Sequence, residues 1–309
     1  MNMKPTLALC IPAYNAAWCL PRLLHSVKQQ QIPFDEILVY DDYSTDETAA
    51  IAREYGAIVI TGAGNIGCSA GKNKLARVAK TDWLFFIDAD DELFSDFTSV
   101  AHLWMNEKDA PDIVLMRYWD IDFSSGKILD EPIYDRDALK RDAVKFTIEN
   151  KIVNFELIKK EPFLKIAGFD TDPAILYIED RAFALKAALQ GLSFDAATEI
   201  IGIKYYFPGS MSVADKDKWP RAGYHLWAKV NEAVGDRYPN EICYQLYQNA
   251  IWAAKANGWD TVKRSLALAK KINAVLLPPG SGLFLLAFKS FPFYAFYLRE
   301  RVLRYFSRN

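Results

Sequence analysis

Four short apolar runs open the chain, alternate with helical patterns, and end on polar or acidic residues. That arrangement constrains the fold more than any other feature. Leu7 to Ile11, Ile37 to Tyr40, Ala57 to Ile60 and Trp83 to Ile87 have strand length and no charged residue inside them. After the first run, Leu20, Leu23, Leu24 and Val27 recur at helical spacing, with Pro21 suited to a first turn. Ser44 and Glu47 have capping-box spacing, which predicts a helix starting there and stopping near Gly56. A further helix is expected from about Ser69 to Ala79. Strand–helix alternation of this kind predicts an α/β fold with a mostly parallel sheet and helices on both faces. Ligands of such sheets sit beyond the carboxyl ends of the strands, so the residues there are the informative ones.

The first run ends in Pro12-Ala13-Tyr14-Asn15, the second in Asp41-Asp42 and the fourth in Asp88-Ala89-Asp90-Asp91-Glu92. A buried strand that delivers several carboxylates to one spot sets up repulsion, or raises some of their pKa values. A hard divalent cation, Mg²⁺ or Mn²⁺, resolves the conflict, with one or two carboxylates as ligands and substrate phosphates filling other positions. Asp88 and Asp90 facing a nucleoside diphosphate suit that chemistry. The competing explanation is a solvated acidic turn. Asp42 is placed to accept a hydrogen bond from a base or ribose, whereas Ser44, Asp46 and Glu47 are explained by capping and the helix dipole. Glu179-Asp180 follows the apolar run Ile175 to Ile178 and opens a helix. Dipole complementation explains the pair; so does a general base, since a positioned carboxylate can take a proton from a sugar hydroxyl.

Composition excludes some classes. Net charge is −2, which leaves no nucleic-acid footprint. The charge is uneven: from residue 261 onward there are nine Lys or Arg against one acid, Glu300, leaving 28 bases against 38 acids in the body. Different partners are expected for the two ends. Cys10, Cys19, Cys68 and Cys243 lack metal or redox spacing and are expected to be buried and reduced. No basic-then-apolar leader precedes the first strand, so the cytoplasm is the expected compartment. Near the end, Leu283 to Leu298 reads LFLLAFKSFPFYAFYL, with one charge and an interrupting Pro292. It is short of the roughly 20 residues of a simple span. With Arg299, Arg301, Arg304 and Arg308 behind it, it suits a membrane interface. A helix packed on the protein, or a homodimer surface, explains it as well.

Several segments together resemble the family 2 glycosyltransferases, which have the GT-A fold. LALCIPAYNAAWCLPRLLHSVKQQ is similar to the family's first strand and helix, and VYDDYSTDET to its nucleotide-binding segment. GNIGCSAGKNKLARVAKTDWLFFIDADDEL, from Gly64, resembles the stretch ending in the metal motif. EPFLKIAGFDTDPAILYIEDRAFALKAALQG, from Glu161, resembles the acceptor side with its Glu-Asp motif, and KYYFPGSMS, from Lys204, the loop over the diphosphate. The resemblance covers roughly residues 6–213 in the family's order.

The resemblance implies a GT-A Rossmann-like catalytic domain over residues 1–215, with a nucleotide-sugar half to about 110 and an acceptor half after it. A helical C-terminal region over 216–309 would follow. It implies that Pro12, Ala13 and Tyr14 border the base, that Asp42 holds it with Asp41 beside, and that Lys72 and Asn73 lie near the donor. Asp88 and Ala89 would meet the nucleotide, Asp88 and Asp90 a Mn²⁺ or Mg²⁺, and Ser210 a phosphate. Asp180 would be the catalytic base and Glu179 its neighbour. Lys72 departs from the usual Arg, keeping charge and losing the planar fork. Phe207 or Pro208 stands where a His is common, and none of His25, His102 and His225 fits that role. Glu156 stands where relatives often carry Lys. The implied reaction is inverting transfer from a nucleotide sugar, expected to be a UDP-sugar, to a glycan or lipid-linked glycan. Lipopolysaccharide, capsule or other surface-glycan synthesis at the cytoplasmic face of the inner membrane is the implied setting. A sugar nucleotidyltransferase would want a glycine-rich loop after the first strand, and Pro12 to Asn15 holds no glycine; a non-catalytic nucleotide-binding module is the other alternative.

Overall fold

The computed structural model describes residues 4–153, 155–207, 217–273, 275–280 and 282–306. The chain divides into two compact units, one of Met1–Thr147, Lys151–Thr171 and Glu179–Pro208, the other of Ile148–Asn150, Asp172–Ile178 and Gly209–Asn309.

The first unit begins with β1 (Leu7–Ala13), α1 (Leu20–Lys28), β2 (Glu36–Asp41), α2 (Thr48–Glu54), β3 (Ile58–Thr61), α3 (Cys68–Val78) and β4 (Trp83–Phe86). There follow β5 (Glu92–Leu93), α4 (Phe97–Met105), β6 (Ile113–Asp122), β7 (Ile128–Asp130), α5 (Arg136–Arg141), α6 (Ala143–Glu149), β8 (Glu156–Lys159) and α7 (Lys160–Lys165). It closes with α8 (Glu179–Leu189) and β9 (Phe194–Tyr206). The strands form one sheet in the order β3-β2-β1-β4-β8-β6-β9-β5, with β7 paired to β6. β3, β2, β1 and β4 run parallel, β8 turns antiparallel to β4 and β6, and β9 returns parallel to β6.

The strand period of two sorts β1 between two cores. Leu7, Leu9 and Ile11 face a layer containing Leu20, Leu23 and Leu24 of α1 and Phe97 and Trp104 of α4. Ala8 and Cys10 face Leu75 and Ala76 of α3 and Phe183 and Ala184 of α8. Helices therefore cover both faces, as expected. The four cysteines are free; Cys10, Cys19 and Cys243 are buried and Cys68 is half-buried.

The capping-box expectation needs correction. α2 starts at Thr48, whose backbone N–H donates to Asp46 Oδ1 at 3.0 Å. Ser44 Oγ instead accepts the N–H of Asn15 at 2.9 Å. The chain turns through Tyr43 at φ 67°, which pulls Ser44 away from the helix axis and spends it on holding the end of β1.

The second unit contains a 3₁₀ turn (Pro173–Ile178), α9 (Lys218–Val234), α10 (Pro239–Lys255), α11 (Trp259–Ile272), α12 (Gly282–Ser290) and α13 (Pro292–Phe306). Leu226 and Trp227 of α9, Ile242 and Leu246 of α10, and Val262 and Leu266 of α11 are buried in its core. Asn249 pins three helices together, donating to Pro220 O at 2.9 Å and Ser265 Oγ at 3.2 Å. Gly223 leaves it room, since a Cβ there would lie 2.2 Å from Asn249 Oδ1.

Candidate active site

The carboxyl ends of β1, β2 and β4 bring the expected residues to one edge. Ala13 and Asp41 are register partners, and Asp42 N donates to Ala13 O at 2.8 Å. Pro12 lies half-buried beside them, and Tyr14, 55% exposed, points away from the core. Asp41 is buried and accepts the Ser44 N–H at 3.1 Å. Asp42 is more heavily engaged: its two oxygens accept the N–H groups of Ile66 at 2.7 Å and Gly67 at 2.8 Å. It thereby fixes the segment entering α3. Each oxygen keeps a second lone pair, so the clamp leaves acceptor capacity for a ligand.

One turn into α3, Lys72 is fully buried, and it organises the acids. Its Nζ lies 2.8 Å from Asp180 Oδ1, 3.8 Å from Asp88 Oδ1 and 3.9 Å from Glu179 Oε1, and 5.0 Å from the Phe169 ring centroid. Burial alone would pull the ammonium down; Asp180 foremost, with Cys68, Asp88 and Glu179, outweighs it and holds Lys72 well above its ordinary value. The Lys72 cluster thus joins the end of β4 to the start of α8. Asn73 braces the same side. Its Nδ2 donates to Phe169 O, and its Oδ1 accepts the Phe169 N–H, both at 2.9 Å. Gly168, at φ 56°, permits that approach, because a Cβ would lie 2.2 Å from Asn73 Oδ1.

Asp88, Asp90 and Asp91 bring carboxylate oxygens within 4.8 Å of one another; Ala89 is buried between them. Burial, then the charge of Asp88, pushes Asp90 up to about 6. Burial, then Asp90 and Asp88, pushes Asp91 well above the usual carboxylate range. Asp91 Oδ1 accepts the Tyr205 N–H at 3.2 Å, while its Oδ2 is buried with no hydrogen-bond partner among the described residues. An all-oxygen donor set under mutual repulsion, with a buried orphan oxygen, fits a hard divalent cation. Glu179 is pushed up to about 8 by burial and by Asp180. Ser210 lies outside the described residues.

Three contributors were not singled out in the sequence. Arg22 of α1 donates from Nη2 to Asp90 O at 2.5 Å, with its guanidinium 4.3 Å from the Tyr205 ring centroid and 5.1 Å from that of Phe123. Asp91 was visible as part of the acidic run. Glu156, noted only as a departure, is buried, and burial followed by Asp180 raises it well above its ordinary value. Nothing in the local sequence around Arg22 marks it, since its partners arrive from the turn after β4, the residue after β6, and β9.

The fold that carries these residues recurs in known proteins. The structure resembles TarS of Staphylococcus aureus in complex with UDP, with TM-score 0.67, 16% identity and coverage of 97% of this chain and 91% of that one. It also resembles the mannosyltransferase PcManGT of Pyrobaculum calidifontis in complex with GDP-Man and Mn²⁺, with TM-score 0.61, 18% identity and coverage of 97% and 85%. At such identities the likeness establishes the fold. In sequence, an uncharacterized glycosyltransferase of Haemophilus influenzae is 31% identical over 195 residues, 61% of this chain; the match spans 63% of that relative's length. Residues 8–166, which carry β1, Asp42, Lys72 and the acidic turn after β4, match the profile named Glycosyl transferase family 2. With just over half of the sequence under that profile and the fold agreeing along nearly all of it, the chain belongs to glycosyl transferase family 2.

Proposed function

We propose that the protein transfers a sugar from a nucleotide sugar, expected to be a UDP-sugar, to an acceptor hydroxyl with inversion at the anomeric carbon. The observation that carries this is the Lys72 cluster, which holds Asp180 and Asp88 on one ammonium. It sets a candidate base beside the candidate donor site. Unit one would be the catalytic part, within the expected limits of residues 1–215.

Asp180 accepts the proton of the acceptor hydroxyl as the new glycosidic bond forms, and the bond to the nucleoside diphosphate breaks on the opposite face. One displacement turns an α-linked donor into a β-linked product. Lys72 stays behind Asp180 and orients it. Glu179, protonated at neutral pH by its upward shift to about 8, adds no competing charge. Asp42 holds the loop before α3 and offers its remaining lone pairs to the base. Asp88 and Asp90 would hold a Mn²⁺ or Mg²⁺, which when bound neutralises the leaving diphosphate. The acceptor would be a glycan or lipid-linked glycan of the cell surface, met at the cytoplasmic face of the inner membrane.

The test is nucleoside diphosphate release from a panel of nucleotide sugars with Mn²⁺, with and without EDTA. Release from one donor, stopped by EDTA, reduced about 10²–10⁴-fold by Asp180→Asn and lost in Asp90→Ala, is the expected result. If no nucleotide sugar or nucleoside diphosphate bound even with metal, the assignment would fail.

A further inference from the structure

Helix α13 has a packed side and an exposed apolar side. Its packed side holds Phe296 and Glu300, both buried. The Phe296 ring meets Phe284 at 5.4 Å and Phe288 at 6.1 Å between centroids. At the far end Arg304 donates to Ala254 O at 2.9 Å and to Asn257 Oδ1 at 2.6 Å, which locks the helix onto the end of α10. The rotation of α13 is therefore fixed. Phe291, Tyr294, Leu298, Val302 and Tyr305 lie on its outer side, each more than half exposed. Spaced at three or four residues, they form one stripe. Leu283 and Leu286 of α12 are more than half exposed as well.

The exposed charge carried by α12 and α13 has one sign. Glu300, the single acid after residue 260, is 4% exposed and paired with Arg299 Nη1 at 2.9 Å. Lys289 and Arg301 are exposed beside the stripe. Among the described residues of α12 and α13, no other acid stands to repel an anionic surface. Among the described residues no helix is long and apolar enough to cross a membrane. At fifteen residues, α13 is about 22 Å long. Exposed aromatics and aliphatics flanked by cations, on a helix too short to span, have the chemistry of an in-plane interfacial helix.

We propose that the outer stripe of α13, with the exposed leucines of α12, docks on an anionic phospholipid bilayer, α13 lying in the headgroup plane. This gives the expected membrane contact a face and a lipid class. It stands apart from the transfer reaction, because vesicle binding is measured with no donor present.

The experiment is co-sedimentation of the full chain with vesicles of phosphatidylcholine alone or with about one-third phosphatidylglycerol. The native chain is expected to partition onto the anionic vesicles at least about tenfold more strongly, and less so at high salt. Leu298→Asp with Val302→Asp should abolish partitioning. Lys289→Glu, which changes an exposed charge and no packed atom, should weaken it about tenfold; thermal unfolding of each variant checks that it is folded. Three results would overturn the proposal: no binding of the native chain to anionic vesicles, equal binding to neutral ones, or full binding by the folded variants. A dimer dissolved by Leu298→Asp, with no protein on the vesicles, would assign the stripe to a second copy instead.

Discussion

Lys72→Met isolates the charge that organises the site. Methionine keeps the length and much of the volume of the side chain, so the perturbation is electrical. Lys72 is fully buried, 2.8 Å from Asp180 and 3.8 Å from Asp88. Deleting one partner of a buried pair costs about 3–5 kcal/mol. Proton uptake caps the cost. Neutralising a carboxyl of ordinary value near 4 at neutral pH takes about 4 kcal/mol, at roughly 1.4 kcal/mol per pH unit. The proton would go to Asp180 or Asp88, because Glu179, at about 8, already holds one. The folded variant then binds a proton that its unfolded chain does not, so its stability falls as pH rises. Urea unfolding of native and variant proteins should show a penalty of about 4 kcal/mol at pH 7, shrinking to about 1.5 kcal/mol at pH 5. A penalty below about 1 kcal/mol at pH 7, or one that does not change with pH, would refute the claim that Lys72 neutralises this cluster.

Other perturbations test neighbouring parts. Arg22→Met removes the bond to Asp90 O and the contact with the Tyr205 ring; a loss of about 2 kcal/mol and about tenfold weaker Mn²⁺ binding by calorimetry are expected, and unchanged affinity would separate Arg22 from the metal turn. Asn73→Ala leaves both backbone groups of Phe169 unpaired in the interior, at a cost of about 2–3 kcal/mol in denaturant unfolding. At Asp195, burial raises the carboxyl, but hydrogen bonds from Arg136 and Lys140 outweigh it and hold it at about 2. A depressed folded value means its stabilisation is full above about pH 4 and is lost as pH falls through about 2. Asp195→Asn should therefore flatten the acid limb of stability, by less than about 2 kcal/mol because Arg136 and Lys140 are about half exposed.

The parallel half of the sheet was legible because its strands read as unbroken apolar runs, β1 and β4 being buried on both faces. Of the rest, β8, the first half of β9 and β5 were not, for physical reasons that differ by strand. β8 carries Glu156 into the interior, where burial raises its carboxyl above the ordinary range, so its sequence lacks a strand's apolar signature. The first half of β9 carries Asp195, paired with Arg136 and Lys140 from α5, and its partner charges lie about sixty residues away in sequence. β5 is two residues long, below any periodicity. In the site, Asp88, Asp90, Glu179 and Asp180 could be picked out because strand ends and helix starts place them. Their connection through Lys72 could not, since Lys72 reads as one more cation on an amphipathic helix. The clamp by Asp42 on Ile66 and Gly67 was hidden likewise, because it depends on backbone atoms.

Two kinds of counter-charge divide the acids. Asp180 has its own built in: Lys72 is fully buried, its contacts tie α3 to α8, and it cannot leave without exposing the Asp180 carboxylate uncompensated. Asp90 and Asp91 do not. Lys204 lowers both only partly, Arg22 adding to it at Asp90, and Arg22 spends its hydrogen bond on a backbone oxygen, not on a carboxylate. Asp88 stands between the two sets, touching Lys72 on one side and the acidic turn on the other. A permanent cation suits a group that must stay oriented through every turnover. A deficit suits a group whose charge is completed by something that arrives and departs. Under the proposed function the built-in charge falls on the base side of the site and the deficit on the donor side, with Asp88 in contact with both.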